Sequence, residues 1–472
     1  MPPDGPAPAP VPPPAADEPP RPGAVLGILA LAAVVGVIVS LASWLFLEGV
    51  HQMQVGVFDG LPKDLGYDNG APWWWSLPIC AVAGLLVAAA IIRLPGSGGH
   101  VPAYGLSPKP AQPVEVPGVV LAALAGVGLG LVLGPEAPLL GLGSGLAILS
   151  VRLARRDAPP QVVTVLAAAG SFAAMSLLFE APVIAAVILI EATGLGGKQL
   201  PLVLIPGLLA AGIGSLVSIG IGSFTGLSTS AYAIGELTLP AFGQPTLVGF
   251  LWTIVLAAAV TVGCVAIVML GRRVQPVVMR RPYVLLPVAG VLVAALAIVF
   301  EQTTDKGVEQ VLFSGQDALG PLTADPAAWS VGALGALLVL KGLAWGVSLG
   351  SFRGGPTFPA MFLGAAAGVL ASHLPGFDVT PAVAVGMAAA IVAVLHLPLS
   401  AVVLSSLLTA KSGLADTPLI IVGVVVAYLV TTALMARLDP AAPGAGAAPA
   451  GTGDARPEPP PTSGPAPALT PR

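Results

Sequence analysis

Long apolar stretches with few or no charged residues dominate the chain, and each of them predicts a membrane-spanning helix. Six approach the roughly 20 residues that a helix needs to cross a hydrocarbon core about 30 Å thick; they are residues 24–47, 73–92, 247–270, 283–300, 331–349 and 419–436. Eight others are shorter and are interrupted by Gly and Pro: residues 116–133, 138–153, 163–179, 182–190, 201–222, 359–374, 382–397 and 398–409. The pattern predicts an all-α polytopic membrane protein with roughly 14 to 18 helical pieces.

The interrupted helices already narrow the class of membrane protein. Backbone that is not helical is tolerated at membrane depth only where it faces protein or a polar cavity. Such a cavity is typical of transporters and channels, so we expect one of these rather than a simple receptor bundle.

The composition supports this fold class. The chain has 19 basic and 23 acidic residues among 472, or 9% charged, against about 25% in an ordinary soluble domain. That is too little charge to cover a soluble globule of this size. The net charge of −4 and the absence of a basic patch argue against nucleic-acid binding. Cys80 and Cys264 lie in apolar stretches without metal-ligand spacing, so we expect neither a metal nor a cofactor.

The two ends differ in composition from the body of the chain. Residues 1–23 and 439–472 are rich in Pro and Ala and are predicted to be disordered tails. Residues 24–438 are predicted to form one membrane domain. Basic residues cluster in the loops near residues 93–109, 152–156 and 272–281, whereas the loop at 51–72 is acidic. The positive-inside rule therefore predicts cytoplasmic termini for a protein of the cell (inner) membrane.

Two pairs of motifs indicate an internal repeat. Residues 134–138 read GPEAP and residues 355–359 read GPTFP, at an offset of 221; residues 179–183 (FEAPV) and 395–399 (LHLPL) are offset by 216. Two features that recur in the same order predict repeat halves at about 24–222 and 247–438. Internal repeats with discontinuous helices at corresponding positions point to a substrate site near the membrane midplane.

The Gly/Pro loops are suited to binding an anion. Each loop opens a helix, and the first N–H groups of a helix have no internal partner and carry about half a positive charge. Several such N–H groups can bind an anion without a lysine that would hold it too tightly. A third loop, at residues 95–102, contains Ser97. Its hydroxyl is either a donor to the anion or that of an ordinary turn residue.

Glu136 is the residue to which the sequence points most directly, because it is ionisable, lies at a helix start and is surrounded by apolar sequence. Its carboxylate would compete with an anion for the same N–H groups, and protonation would release it. The alternative is a carboxylate that only stabilises a helix N-terminus. Glu180 and Glu191 are candidate proton relays or simply solvated or paired carboxylates. Lys341 and Arg353 either make the pathway more positive or extend to a membrane face.

These motifs resemble those of the CLC family of chloride channels and chloride/proton exchangers, in a distant bacterial-type branch. The family signature G-S-G-x-P is matched by Gly-Ser-Gly at 96–98, with the proline displaced to Pro102. G-[KR]-E-G-P corresponds to 134–138, without the basic residue and the second glycine. G-x-F-x-P corresponds to 355–359, with the aromatic residue displaced by one position.

The resemblance implies an inverted repeat of tilted and discontinuous helices, a homodimer with one pore in each subunit, and chloride or a similar small anion as the transported ion. It implies that Glu136 is the gating glutamate. It also assigns an anion path to Ser97, Gly98, Gly134, Ala137, Pro138, Gly355, Thr357 and Phe358.

Two departures from the family pattern bear on the mechanism. Exchangers of the family usually carry a second glutamate after the position of Glu191, where this chain has Ala192, and the pore tyrosine is missing, with Tyr428 no obvious substitute. A passive channel is therefore favoured, with a proton-coupled exchanger as the alternative. A secondary transporter for another solute, built on an unrelated inverted repeat, is the second hypothesis. A polytopic membrane enzyme is the third hypothesis. It would need a nucleophile with a base, or a metal cluster, and the sequence contains neither pattern.

Overall fold

A computed structural model describes residues 22–68, 70–107, 109–194, 196–197, 199–225 and 235–438. Within these ranges nine helical spans are long and apolar enough to cross a membrane. They contain α1 (Pro22–Val55), α3 (Ser76–Arg93), α5 (Glu136–Ala154), α6 (Pro160–Phe179), α8 (Gln199–Thr225), α9 (Leu247–Val278), α10 (Pro282–Thr304), α12 (Val331–Ser351) and α16 (Thr417–Leu438). The predicted all-α polytopic architecture is confirmed.

Seven shorter helices complete the described part of the chain. Five are apolar, namely α4 (Val116–Gly128), α7 (Pro182–Thr193), α13 (Thr357–Ala371), α14 (Val379–Leu395) and α15 (Pro398–Leu408). The other two are α2 (Leu61–Asp64) and α11 (Gln316–Ala324). The predicted disordered tails lie outside the described residues, apart from the first two residues of α1, and stay a prediction.

Two long helices extend past the ends that hydropathy predicted. α1 ends at Val55 rather than at residue 47, and α9 ends at Val278 rather than at residue 270. Both extensions contain charged or polar residues, which is why the apolar pattern stops early. In α9 the Nε of Arg272 donates to the carbonyl of Ala103 at 3.1 Å, so a basic residue is held against the protein and the helix continues past it.

The backbone repeats itself at the predicted offsets. α5 and α13 begin after prolines with nearly the same dihedral angles, φ −86° and ψ −5° at Pro135 and φ −91° and ψ −9° at Pro356. α6 and α14 each end on a residue with left-handed backbone, Glu180 at φ 49° and His396 at φ 59°. A proline then opens the next helix in both halves. The two motif pairs therefore form the same local structure.

Packing between helices repeats as well. α5 packs on α6 and α13 packs on α14. At the first contact a Cβ on Gly143 or Gly170 would overlap the carbonyl oxygen of the other glycine, and the same holds for Gly364 and Gly386 at the second. These pairs are again related by 221 and 216 residues, and only glycine permits helix axes to approach so closely. The internal repeat is confirmed at the level of tertiary packing.

The short helices of the second half lie in the interior. Every residue of α14 from Thr380 to Leu395 is buried, and α13 is buried on nearly all sides. A helix that is apolar all round belongs in the core rather than at a surface. The start of α13 is thereby placed away from lipid, where unpaired N–H groups can serve a site.

Candidate functional site

The two Gly/Pro loops of the repeat meet in the middle of the protein. Gly134 and Gly355 form an antiparallel bridge in which each N–H donates to the other carbonyl, at 2.8 Å and 2.6 Å. The starts of α5 and α13 are therefore held side by side. We call the residues of this contact, Gly134, Glu136, Gly355, Thr357 and Phe358, the loop junction.

Glu136 links the two repeats at this junction. Its side chain is fully buried, and its Oε1 accepts the backbone N–H of Thr357, the first residue of α13. Its Oε2 accepts no hydrogen bond from the described residues. A Cβ on Gly134 or Gly355 would overlap the carboxyl group, so glycine is required at both positions for this close approach. A helix N-terminus of the second repeat thus binds a carboxylate of the first.

Two phenylalanines enclose the junction. The rings of Phe358 and Phe179 lie 5.6 Å apart between centroids, inclined by 32°, and both side chains are buried. Phe179 ends α6, so the second repeated motif also reaches the junction. Phe179 was not predicted as a site residue, although its position in the repeated motif could have indicated one.

A cavity of about 340 Å³ lies beside the junction and is lined by Ala137 and Gly354, which adjoin junction residues in the chain. Gly98, Ala137 and Pro138 of the predicted anion path line it together with Arg353, Lys109 and His100, and Glu115 supplies a carboxylate. We call it the basic cavity.

Ser97 stands next to this cavity in a strained loop. Gly96, Ser97 and Gly98 all have positive φ, at 78°, 50° and 71°, and the Ser97 side chain is exposed. The backbone carbonyl of Ser97 accepts a hydrogen bond from Arg353 Nε at 3.1 Å. The proposed hydroxyl contact with an anion stays a prediction.

A second cavity, of about 660 Å³, is lined by Pro135, the residue before Glu136. Its charged and titratable lining residues come from five separate segments and are mostly acidic: His51, Asp59, Glu301, Glu309 and Asp317. We call it the acidic cavity. Burial raises the pKa of Asp317 on α11, and nearby His51 opposes that rise. Pro135 lines this cavity and Ala137 lines the basic cavity, so the two chain neighbours of Glu136 each face a different cavity.

Glu191 is occupied at a different helix start. Its Oε1 accepts the N–H of Leu399 at 2.7 Å, and its Oε2 accepts the N–H and Oγ–H of Ser400 at 2.7 Å and 2.6 Å. These groups open α15, so Glu191 caps that helix. Glu180 is an exposed residue at the end of α6. The recorded hydrogen bonds of the Glu191 carboxylate are thus with α15 and not with the loop junction, and the role of both glutamates as proton relays stays a prediction.

Lys341 is fully buried on α12 and does not extend to a membrane face. Its Nζ lies within hydrogen-bond distance of the carbonyls of residues 310, 311, 312 and 313, at 2.9, 3.1, 3.0 and 3.3 Å. It also lies 4.7 Å from the centre of the Phe362 ring on α13. Lys341 therefore holds the loop that leads into the wall of the acidic cavity.

The chain is similar to a known family of membrane proteins. The family model described as voltage gated chloride channel matches residues 101–432, well over half of the chain. The chain belongs to this family. The matched stretch contains the loop junction together with Pro135 and Ala137, the cavity-lining residues beside Glu136. It begins at residue 101, near the end of the loop that contains Ser97.

Relatives and solved structures agree with this membership. The putative ion-transport proteins YfeO of Escherichia fergusonii and of Escherichia coli O1:K1 are each 29% identical over 356 residues, covering 74% of this chain and 80% of theirs. The chain shares its fold with a slow cyanobacterial Cl⁻/H⁺ antiporter at a TM-score of 0.68 and 18% identity, covering 86% of this chain and 94% of that one.

It also shares its fold with a CLC-type fluoride/proton antiporter at a TM-score of 0.67 and 18% identity, covering 87% and 97% of the two chains. The predicted CLC fold with its inverted repeat is confirmed. The protein is a multi-pass membrane protein of an anion-transport family.

Proposed function

We propose that the protein conducts chloride passively across the membrane and that Glu136 is its gate. The observation that supports this most directly is the contact between the Glu136 carboxylate and the N–H of Thr357. The first N–H groups of a helix are where a permeating anion would bind. The carboxylate occupies a position at which chloride would be stabilised, and the residues before and after it in the chain each line a cavity.

The chemistry of gating follows from this competition. A charged carboxylate at the start of α13 excludes a second anion both by taking the Thr357 donor and by repulsion. A protonated side chain no longer repels chloride, and the N–H of Thr357 becomes available to it. Ser97, Gly98, Ala137, Pro138 and the N–H groups of the loop junction then form the remaining anion path.

A passive channel is favoured over an exchanger by the surroundings of Glu191. Three donors hold its carboxylate at α15, and Ala192 follows it where a second carboxylate would extend a proton route. Proton coupling is the alternative, since both solved proteins named above are described as proton antiporters. In that case Glu191 or Glu180 would have to exchange protons with Glu136.

Reconstitution of the full chain in liposomes with a chloride gradient tests this proposal, with chloride and proton movement recorded together. Chloride movement without proton movement is the expected result. Protons driven uphill by chloride would identify an exchanger, and loss of that coupling in Glu191→Gln or Glu180→Gln would locate its proton relay. Absence of any halide flux, with transport of a larger organic solute instead, would contradict anion conduction.

We further propose that the chain forms a homodimer with a separate anion path in each subunit, in the inner cell membrane, with cytoplasmic termini and the basic cavity facing the cytoplasm. Light scattering of the detergent-purified protein measures the number of subunits. Labelling of single cysteines introduced at Lys109 and Asp68 in intact cells tests the orientation, since Lys109 should be protected and Asp68 should react.

A further inference from the structure

Arg353 is a buried cation that the gate itself does not require. It lies between α12 and α13, and only 4% of its surface is exposed. Its Nε donates to the carbonyl of Ser97 at 3.1 Å, and its Nη1 donates to the carbonyl of Phe352 at 3.1 Å. A guanidinium has five N–H donors in a planar fork. These two bonds fix its orientation and leave the donors of Nη2 free of any recorded acceptor among the described residues.

The charge of Arg353 is not neutralised by an ion pair with any carboxylate of the described residues. A buried charge without a counter-ion is costly, and buried charges in proteins are normally paired or serve a ligand. Carbonyl acceptors satisfy part of the guanidinium but contribute no negative charge. Lys341 is also buried among carbonyls, but its Nζ lies close to four of them. Arg353 differs because it keeps its Nη2 donors and its charge available to an anion.

The guanidinium is placed at the basic cavity. Arg353 lines this cavity, and its side chain packs against Gly98. A Cβ added to Gly98 would lie only 3.3 Å from the Cγ of Arg353. Ala137 and Pro138, the residues just after Glu136, line the same cavity. Arg353, which belongs to the second repeat, thus lies near the start of α5, which belongs to the first repeat.

The other charged groups of the cavity leave an excess of positive charge. Lys109 also lines it, and its lining carboxylate is that of Glu115, whose Oε2 accepts the N–H of Gln112 at 2.8 Å. The lining His100 adds no positive charge at neutral pH, because burial lowers its pKa. In the first repeat Pro135 stands where the resembling motif has a basic residue. Arg353, 218 residues later in the chain, instead supplies a cation to the cavity that Ala137 and Pro138 line.

We propose that Arg353 is the anion-binding and selectivity residue of the basic cavity. Its free Nη2 edge donates to a small monovalent anion beside Ala137, before that anion passes Glu136 or after it has done so. Because the guanidinium is tied to two carbonyls, it attracts the anion without following it into the path, so the anion can leave. This inference rests on the proposed anion conduction and names the residue that sets its affinity.

The test compares Arg353→Met and Arg353→Lys with the wild type in liposomes. Loss of a charge-assisted contact should raise the half-saturating chloride concentration of flux on the order of 10-fold in Arg353→Met. It should also lower the permeability to chloride relative to potassium. Arg353→Lys retains the charge and should shift half-saturation by less. Arg156→Met, which removes an exposed arginine outside the cavity, should leave both quantities unchanged.

A second variant keeps the proposal testable if Arg353→Met does not fold for lack of its bonds to Ser97 and Phe352. Glu115→Gln removes the negative charge of the basic cavity while an amide oxygen can still accept from Gln112. It should lower the half-saturating chloride concentration about 2- to 3-fold with Arg353 intact.

The outcomes separate this inference from the function on which it rests. Chloride flux in the wild type with unchanged half-saturation in Arg353→Met and Glu115→Gln would overturn the role of Arg353 and leave anion conduction intact. A wild type that conducts no anion at all would overturn both.

Discussion

Lys341 provides the sharpest test of how the interior is held together. The side chain is fully buried, and its Nζ is close to four consecutive carbonyls, at residues 310–313, in a segment that lines the acidic cavity. Replacement by Met preserves the length and the apolar stem and removes only the donor group. Lys411 is a suitable comparison, because it also has a recorded polar partner but lies at the surface.

The expected effects differ by enough to be measured. A buried acceptor left without its donor costs about 1–3 kcal/mol, and an ammonium has three N–H donors, so Lys341→Met should destabilise the fold by about 3 kcal/mol or more. That corresponds to roughly a 100-fold shift in the folding equilibrium. The pair between Lys411 and Glu236 is 3.7 Å long, with side chains 58% and 50% exposed, and such pairs contribute about 1 kcal/mol or less.

Thermal unfolding in one detergent measures both variants, and native-state proteolysis checks the loop directly. Lys341→Met should unfold several degrees lower than the wild type and should be cleaved faster at residues 308–315, whereas Lys411→Met should behave like the wild type. Equal stability of the two variants, or a Lys341→Met loop as resistant as that of the wild type, would refute the assignment of Lys341 as the support of this loop.

Three further outcomes are expected. Glu191→Ala should lower the free energy of unfolding by about 1–2 kcal/mol in a detergent melt, because α15 loses the carboxylate that caps Ser400. Gly355→Ala should displace the Glu136 carboxyl group and raise chloride flux at neutral pH, whereas Gly335→Ala, whose Cβ meets open space, should not. Asp317 has a raised pKa, so it takes up a proton at a higher pH than an exposed aspartate. Chloride flux from that side should rise as the pH falls through this pKa, and Asp317→Asn should reduce the acid stimulation in a pH series.

The membrane-spanning segments and the loop junction could be predicted because their signals are local. An apolar run predicts a helix by itself. The GPEAP and GPTFP motifs repeat at one offset, so the sequence alone predicts both Glu136 and Thr357 as site residues, and the structure brings them into contact. The ends of α1 and α9 were predicted too early, because charged residues interrupt hydropathy even where packing continues the helix.

Contacts between distant residues could not be predicted in this way. Arg353 and Ser97 are 256 residues apart, and Glu191 meets Ser400 across 209 residues. Such pairs depend on how the helices of the two repeats pack, and no local pattern encodes that. The acidic cavity was not predicted for the same reason. Its carboxylates lie in separate loops and helices, and none of these segments has a sequence pattern that indicates a cavity.

The most direct test of the gate is chloride efflux from liposomes as a function of pH, for the wild type and for Glu136→Gln. The amide has the shape of the protonated carboxyl group and carries no charge. Wild-type efflux should rise as the pH falls, and Glu136→Gln should already be fast at neutral pH and lose most of that dependence. Efflux in Glu136→Gln with the same rate and pH dependence as the wild type would contradict Glu136 as the gate.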